Sequence, residues 1–487
     1  PLSCILKALI LELSDFTDVE DLNSIIFCLR RQGKIKDVAD DLECIAEYAP
    51  DSYQIPEILQ WVVTGFEPWG SADYTYQERM DTTMVNSIDR ELFDRLFRLS
   101  VKMIQEPVSK NRAVWCYTAA FLAAMDAKPH EAWRYIHMAT KCPTSEYMKE
   151  SIRVLKIYLD AKVSVYDSAY ESRLFNDLKW LDAKIRGGLT SNIAEYYYNY
   201  LRSNISFYYW NDVMRKILIS EVCPRMIKAG KSTRALQLAN MADNRLLSLV
   251  NRQDYFDWVE TDTGWEEKVI EYSNMNDYRY SGNYNMYDYS NSFFEMIDSI
   301  GIHEAIKYVD NVTHPKSEFD HFLNSRGYIN PDYLNDIIGT QCLRNQRYGD
   351  AVKYLGMVSE KYKYHHNVYI DYDPFCFDRK MIKNDGDFRY SFAIKMHSLE
   401  QSMSITSDPN RKARLQLLFA IGLQNSFDRC WSLTQYYRGT SYWGQVCEKR
   451  DWENDIYTKA AKEKAQNLIN SAFAMVTDDE VAADLHY

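Results

Sequence analysis

Several short stretches carry residue types that could do chemistry, and spacing decides against each. Ala229-Gly230-Lys231-Ser232-Thr233 resembles the close of a phosphate-binding loop, whose first glycine must stand five residues before the second so that backbone N–H groups reach the phosphates. Arg225 holds that position, and the residues before it are patterned as a helix rather than a strand, so nucleotide binding is not expected. His130-Glu131 and His303-Glu304 open like a zinc-protease helix, but the second histidine must follow by four residues to share the face. Arg134 and Lys307 stand there instead. His365 and His366, near Asp371, Asp373 and Asp378, form the best metal-like cluster, since imidazole and carboxylate would converge if the loop folded back. No spacing fixes them and the central glycine of a calcium loop is missing. No Gly-x-Ser-x-Gly elbow or Gly-rich dinucleotide loop occurs, and with 69 acidic residues paired carboxylates decide nothing. The sequence is therefore read as non-enzymatic, with no metal and no cofactor.

What remains is an aromatic excess, 14% of the chain with 38 Tyr and 11 Trp. A tyrosine ring presents a large apolar face with a hydroxyl handle at low entropic cost, which suits protein interfaces and sugar stacking alike. The stretch MNDYRYSGNYNMYDYSN, 275–291, has no leucine, isoleucine or valine to define a buried face. Its Tyr278, Tyr280, Tyr284, Tyr287 and Tyr289 are candidate binding residues. Trp69 and Tyr76 in the connection 64–84, and Tyr369 and Tyr372 in the connection 361–387, join them, because connections this long are functional or disordered. The run EYYYNYLRSNISFYYW, 195–210, has helical spacing and is read as core.

These residues must be carried by helices. Among 487 residues, Gly 17 and Pro 12 are about half of average usage, which is roughly 7% and 5%, so helix breakers are scarce. Asn330-Pro331 and Asp408-Pro409 offer a capping oxygen before a proline at the first helical position. Thr17-x-x-Glu20 and Thr477-x-x-Glu480 have capping-box spacing. Alternating strands are not apparent, apart from a short extended piece at 368–378, and roughly twenty helices are expected. A net charge of −12 without a concentrated basic face argues against nucleic acid. No apolar run is long enough to cross a bilayer. Ten cysteines without a C-x-x-C pair read as small buried hydrophobes. Pro1 and the helix-like ending DDEVAADLHY point to a piece of a longer chain.

One internal spacing recurs. In 333–362, Gly339 is followed after twelve residues by Ala351, then by Leu355 and Val358. In 116–143, Ala120 and Ala132 take the same places, followed by Ile136 and Ala139. In 221–243, Cys223 stands opposite Ala235, with Ala239 and Ala242 behind. Looser matches are 22–50, where Ile26 and Val38 replace the small pair, 292–312 with Ala305, and 414–437 with Cys430. The pattern resembles the tetratricopeptide repeat (TPR), whose paired helices need small residues where their backbones approach. The aromatic positions usual in that family are mostly absent, as Asn335 illustrates.

The fold expected is all-α: an α-solenoid of TPR-like antiparallel helix hairpins with long aromatic-rich loops. Hairpins at 1–63 would continue from an earlier part, a central array would span 85–250, a Tyr/Asn-rich insert 251–291, and a second array 292–487 with the loop 361–387. The resemblance implies a concave face that takes a protein partner within a multi-subunit assembly. No particular ligand residues transfer from it. The alternative is a glycan-binding surface protein, because the composition looks like that of bacterial outer-membrane glycan-binding lipoproteins of the starch-utilisation type. An (α/α)-barrel carbohydrate-active enzyme ranks third. The style of the loops favours the bacterial cell envelope over the cytoplasm.

Overall fold

The computed structural model describes residues 39, 40, 42, 43, 46, 47, 90–106, 110–188, 207–249, 256–261, 264–269, 292–365, 370–378, 380–382, 387–436 and 455–486. The chain divides into two compact units, Pro1–Gly230 and Lys231–Tyr487. The described residues are helical almost throughout, so the all-α class holds.

In the first unit the helices are α1 (Arg90–Gln105), α2 (Arg112–Met125), α3 (Pro129–Ala139), α4 (Glu146–Val163), α5 (Ser168–Gly188), α6 (Phe207–Lys216) and α7 (Cys223–Lys228). Residues 39–47, helical wherever described, lie beside α1: Arg95 pairs with Asp40 at 2.6 Å and Glu43 at 2.5 Å, and Lys102 with Glu47 at 2.8 Å. Each of α1 to α3 packs on its successor, and α5 packs on α6. Between α6 and α7 the helix widens into a π turn over Ile217–Val222. Pro224 has no N–H for the carbonyl four residues back and its ring crowds that carbonyl, so the preceding turn loosens.

The recurring spacing has a structural basis. Ala120 and Ala132 are fully buried where α2 packs on α3, with Ile136 and Ala139 beside them. The second unit repeats this with α12 (Pro331–Arg344) and α13 (Tyr348–Leu355), where Ala351, Leu355 and Val358 are buried. An ideal Cβ on Gly339 would lie 2.5 Å from Leu355 Cγ and 2.6 Å from its Cδ2. The glycine thus makes room for Leu355, one turn beyond Ala351. Both hairpins turn through a non-glycine residue at positive φ, Ala127 at 54° and Gln346 at 58°. The Lys128 N–H donates to Ala123 O (2.9 Å) and the Arg347 N–H to Cys342 O (2.8 Å), which is the closure expected of a left-handed helix end. In the third stretch Gly230 takes that conformation at φ 73°, and Cys223, Ala235, Ala239 and Ala242 are all buried. The P-loop-like AGKST is therefore a turn between two helices.

The division between units falls at this turn, inside the segment expected as one array over 85–250. Helix α8 (Ser232–Leu249) belongs to the second unit, with β1 (Phe256–Thr261), β2 (Gly264–Val269), α9 (Ser292–Ser299), α10 (Ile302–Thr313), α11 (Glu318–Asn324), α14 (Glu360–His365), α15 (Phe388–Ile405), α16 (Pro409–Asn425), α17 (Ile456–Met475) and α18 (Asp479–His486). The strands pair antiparallel from Phe256↔Val269 to Thr261↔Gly264. They add strands where none was expected: Trp258, Val259, Thr261, Trp265 and Val269 are β-forming residue types. The piece 368–378 contributes one isolated bridge, Tyr372↔Met381, and is otherwise irregular chain with a turn at Pro374 and Phe375 where described.

Two looser repeats are corrected. Over 292–312, α9 and α10 both pack on α8, with Ala305 buried. Over 414–437, no second helix follows α16 among the described residues; turns and a 3₁₀ segment (Trp431–Leu433) do, and α16 pairs with α17 instead. The repeat at 22–50 and the box Thr17-x-x-Glu20 lie largely or wholly outside the described residues. Asn330 and Asp408 cap as expected, accepting from the Asp332 N–H (2.8 Å) and the Arg411 N–H (2.7 Å). At α18 the cap is Asp478 rather than Thr477, accepting from the Glu480 N–H at 2.9 Å.

Two outcomes test this packing. Gly339→Ala gains helix propensity of about 1 kcal/mol but overpacks against Leu355, which costs about 1–3 kcal/mol. The substitution is expected to lower the urea midpoint, and to do so less in a Leu355→Ala background. Asp126, at the α2–α3 turn, accepts from Arg90 of α1 at 3.0 Å and pairs with Lys128 at 2.6 Å. The bond from Arg90 holds its carboxyl below the usual range against the opposing effect of burial, with Lys128 adding to it. A depressed folded value means stability that is present above the ordinary carboxylate pKa and lost as pH falls through the folded one. Asp126→Asn should flatten this acid limb, by at most about 1 kcal/mol for so exposed an arginine partner, in chemical denaturation between pH 5 and 2.

Candidate binding loop

Of the candidate aromatic residues, Tyr372 lies within the described residues; Trp69, Tyr76, Tyr278, Tyr280, Tyr284, Tyr287, Tyr289 and Tyr369 lie outside them. The loop that carries Tyr372 is held at several points. Asp373 donates its N–H to Lys380 O (3.0 Å), and Ile382 donates to Asp371 O (3.1 Å). The Asp373 Oδ1 accepts from the Phe375 N–H at 2.9 Å, an Asx turn across Pro374, whose ring cannot donate. Asn425 at the end of α16 donates from Nδ2 to Pro374 O (2.9 Å) and Cys376 O (3.2 Å). Arg429 donates to Phe377 O at 3.2 Å.

Phe375 anchors the loop by packing. Its ring lies 5.5 Å from that of Phe392 on α15. A Cβ on Gly422 of α16 would meet its Cε1 at 2.7 Å, so the missing side chain is what lets the ring reach the helix backbone. With Pro374 buried and Phe375 half-buried, the next large apolar residues point outward: Phe377 is 59% exposed and Met381 72%. Tyr372 is half-buried, and its carbonyl accepts from Cys430 Sγ at 3.4 Å. Phe377 and Met381 were not singled out by sequence reasoning; the signal for them was Asp373-Pro374-Phe375, a turn that fixes which neighbours face solvent.

The other candidate residues are structural. Gly339, Ala351, Leu355, Ala120, Ala132, Ala139, Ala235 and Ala242 are all interior. A buried ionic group of the second unit also holds the fold together. Asp336 receives Arg389 Nη1 at 3.2 Å and the Tyr436 hydroxyl at 2.7 Å. Burial beside that carboxylate drives the Tyr436 hydroxyl well above its ordinary pKa. Burial likewise pushes the thiols of Cys116, Cys342 and Cys430 up to about 12, so these are protonated hydrophobes rather than nucleophiles. Among the described residues no group of three His, Cys, Asp or Glu is placed to hold a metal ion, and Asp373 is used in its own turn. No described helix is long and apolar enough to cross a membrane.

No protein-family model matches the chain, and neither a curated protein nor a solved structure matches it.

The loop should depend on its two anchors. Asn425→Ala or Gly422→Val is expected to raise the rate of chymotryptic cleavage after Phe377 by about tenfold or more, because local opening precedes cutting. Unchanged resistance in both variants would show that the anchors do not hold it.

Proposed function

We propose that this chain is a non-enzymatic protein-binding scaffold, an α-solenoid of TPR-like hairpins working as a subunit of a larger assembly. Two hairpins of one register, the left-handed residue of the third in the same place, and helices that pack mainly on their neighbours in chain order support the repeat reading. The single observation that carries the binding role is the pinned loop at 370–382, which holds Phe377 and Met381 out to solvent. Exposed large apolar side chains on a fixed frame lose little entropy when a partner covers them, and aromatic and methionine side chains are enriched at interface centres. The occupant is a folded protein that offers an apolar recess to Phe377.

Affinity purification of the full-length product, followed by mass spectrometry, tests this. A partner recovered with the wild type should fall by about tenfold or more with Phe377→Ala/Met381→Ser, a change confined to exposed side chains that leaves the melting curve in place. Equal recovery from both would remove the loop from the interface. Binding on a glycan array that is lost in Tyr372→Ala would replace the protein partner with a sugar.

A further inference from the structure

A cleft of about 400 Å³ lies in the first unit, between the end of α3, one face of α4 and α5. Its α4 wall follows helical spacing: Lys149, Ile152, Arg153, Lys156 and Ile157 share a face. The floor is apolar, with Ala139, Ile152 and Ile157 buried. Above it stand three cationic side chains, Lys149, Arg153 and Lys156, against one lining carboxylate, Asp177. In a chain of net charge −12 this is a local reversal of sign.

The cations are not used up by their neighbours. Arg153 offers Nε (3.4 Å) and Nη2 (3.1 Å) to Asp177 Oδ1 and stacks on the Trp180 ring at 4.3 Å. That fixes the guanidinium plane and leaves Nη1 outside the pair. Lys149 meets Glu146 at 2.6 Å in a pair that is mostly solvent-exposed, a kind worth little. Lys156 makes no ion pair among the described residues, and its amine lies 5.7 Å from the Trp133 ring centroid. Thr144 adds a hydroxyl to the lining. An arginine held flat, a lysine that reaches Asp177 only through space, without a direct ion pair among the described residues, and a hydroxyl over an aliphatic floor match a ligand that is anionic at one end and apolar at the other.

We propose that this cleft is a binding site for a small organic phosphate monoester, its phosphoryl group at Arg153 and Lys156 and its organic part on Ile152 and Ile157. The site goes beyond the scaffold reading and does not depend on it, since it lies in the other unit from the loop. A phosphoryl dianion answers the excess of two positive charges in the lining better than a single carboxylate does.

Calorimetric titration of the full chain with phenyl phosphate, with phenol and inorganic phosphate as separate arms, tests it. Phenyl phosphate should bind one to one, more weakly as salt rises, and about tenfold more tightly than inorganic phosphate. Phenol should show no saturation. Lys156→Ala should weaken phenyl phosphate binding by about tenfold, and Lys156→Arg should retain it, which separates lost charge from a disturbed fold. The proposal is overturned by absence of saturable binding, by equal binding of wild type and Lys156→Ala, or by inorganic phosphate binding as tightly as the ester. A phosphoserine peptide that binds about tenfold more tightly than phenyl phosphate would overturn the small-molecule assignment.

Discussion

The distance between backbones at the hairpin crossings is the constraint on which the helical architecture depends. Where α12 passes α13, Leu355 occupies the space a Cβ on Gly339 would need. Where α2 passes α3, Ala120 and Ala132 have no exposed surface at all. Methyl or hydrogen side groups at these points let the helices close, and closure is what places the larger residues, Ile136 and Leu355, inside. The turn must close as tightly. Ala127 and Gln346 accept the left-handed conformation, at a cost of roughly 1–2 kcal/mol each, because the helices on both sides leave the chain no wider path.

Where the second unit departs from paired helices, charge replaces the missing backbone pairing. Residues 431–436 form a 3₁₀ turn and irregular chain, whose buried carbonyls need donors from outside. Two buried arginines supply them. Arg389 donates to Ser432 O at 3.0 Å and Gln435 O at 3.2 Å, and Arg344 to Thr434 O at 2.9 Å. Each guanidinium is balanced by a carboxylate: Asp336 faces Arg389, and Asp298 meets Arg344 in a two-point pair at 2.9 and 3.0 Å. An unpaired charge here would be costly, and so would an unpaired carbonyl. Together they satisfy one another, which is how an ionic group is held in the interior.

The sequence disclosed what depends on small residues and local caps. Gly339, Ala351, Ala120 and Ala132 were legible because close approach leaves few residue types to choose from, and Asn330 and Asp408 because a capping oxygen before proline has few other uses. It did not disclose partners chosen over long separations. Cys430 has the size for a repeat position, but nothing near it announces that Arg344 and Arg389 will hold the following chain out of a helix. The hairpin at 256–269 was passed over because each strand has only six residues, too short for alternation to stand out beside long helices. The cationic face of α4 was not singled out, because Glu146 and Glu150 are interspersed with Lys149, Arg153 and Lys156 along the chain. The fold turns Lys149, Arg153 and Lys156 into one cleft and leaves Glu146 and Glu150 outside its lining.

In the loop at 370–382, packing alone decides which side chains face solvent. Phe375 enters because Gly422 leaves a gap, and Pro374 is buried under the two bonds from Asn425. With those two residues fixed inward and the short bridge Tyr372↔Met381 closing the loop, Phe377 and Met381 stand exposed. Their exposure is thus imposed by the anchors rather than tolerated by a loose chain. A floppy loop would fold such residues back onto any nearby apolar surface and would have to release them before binding. A pinned one has already lost that freedom, so a partner that covered Phe377 would have less ordering entropy to overcome.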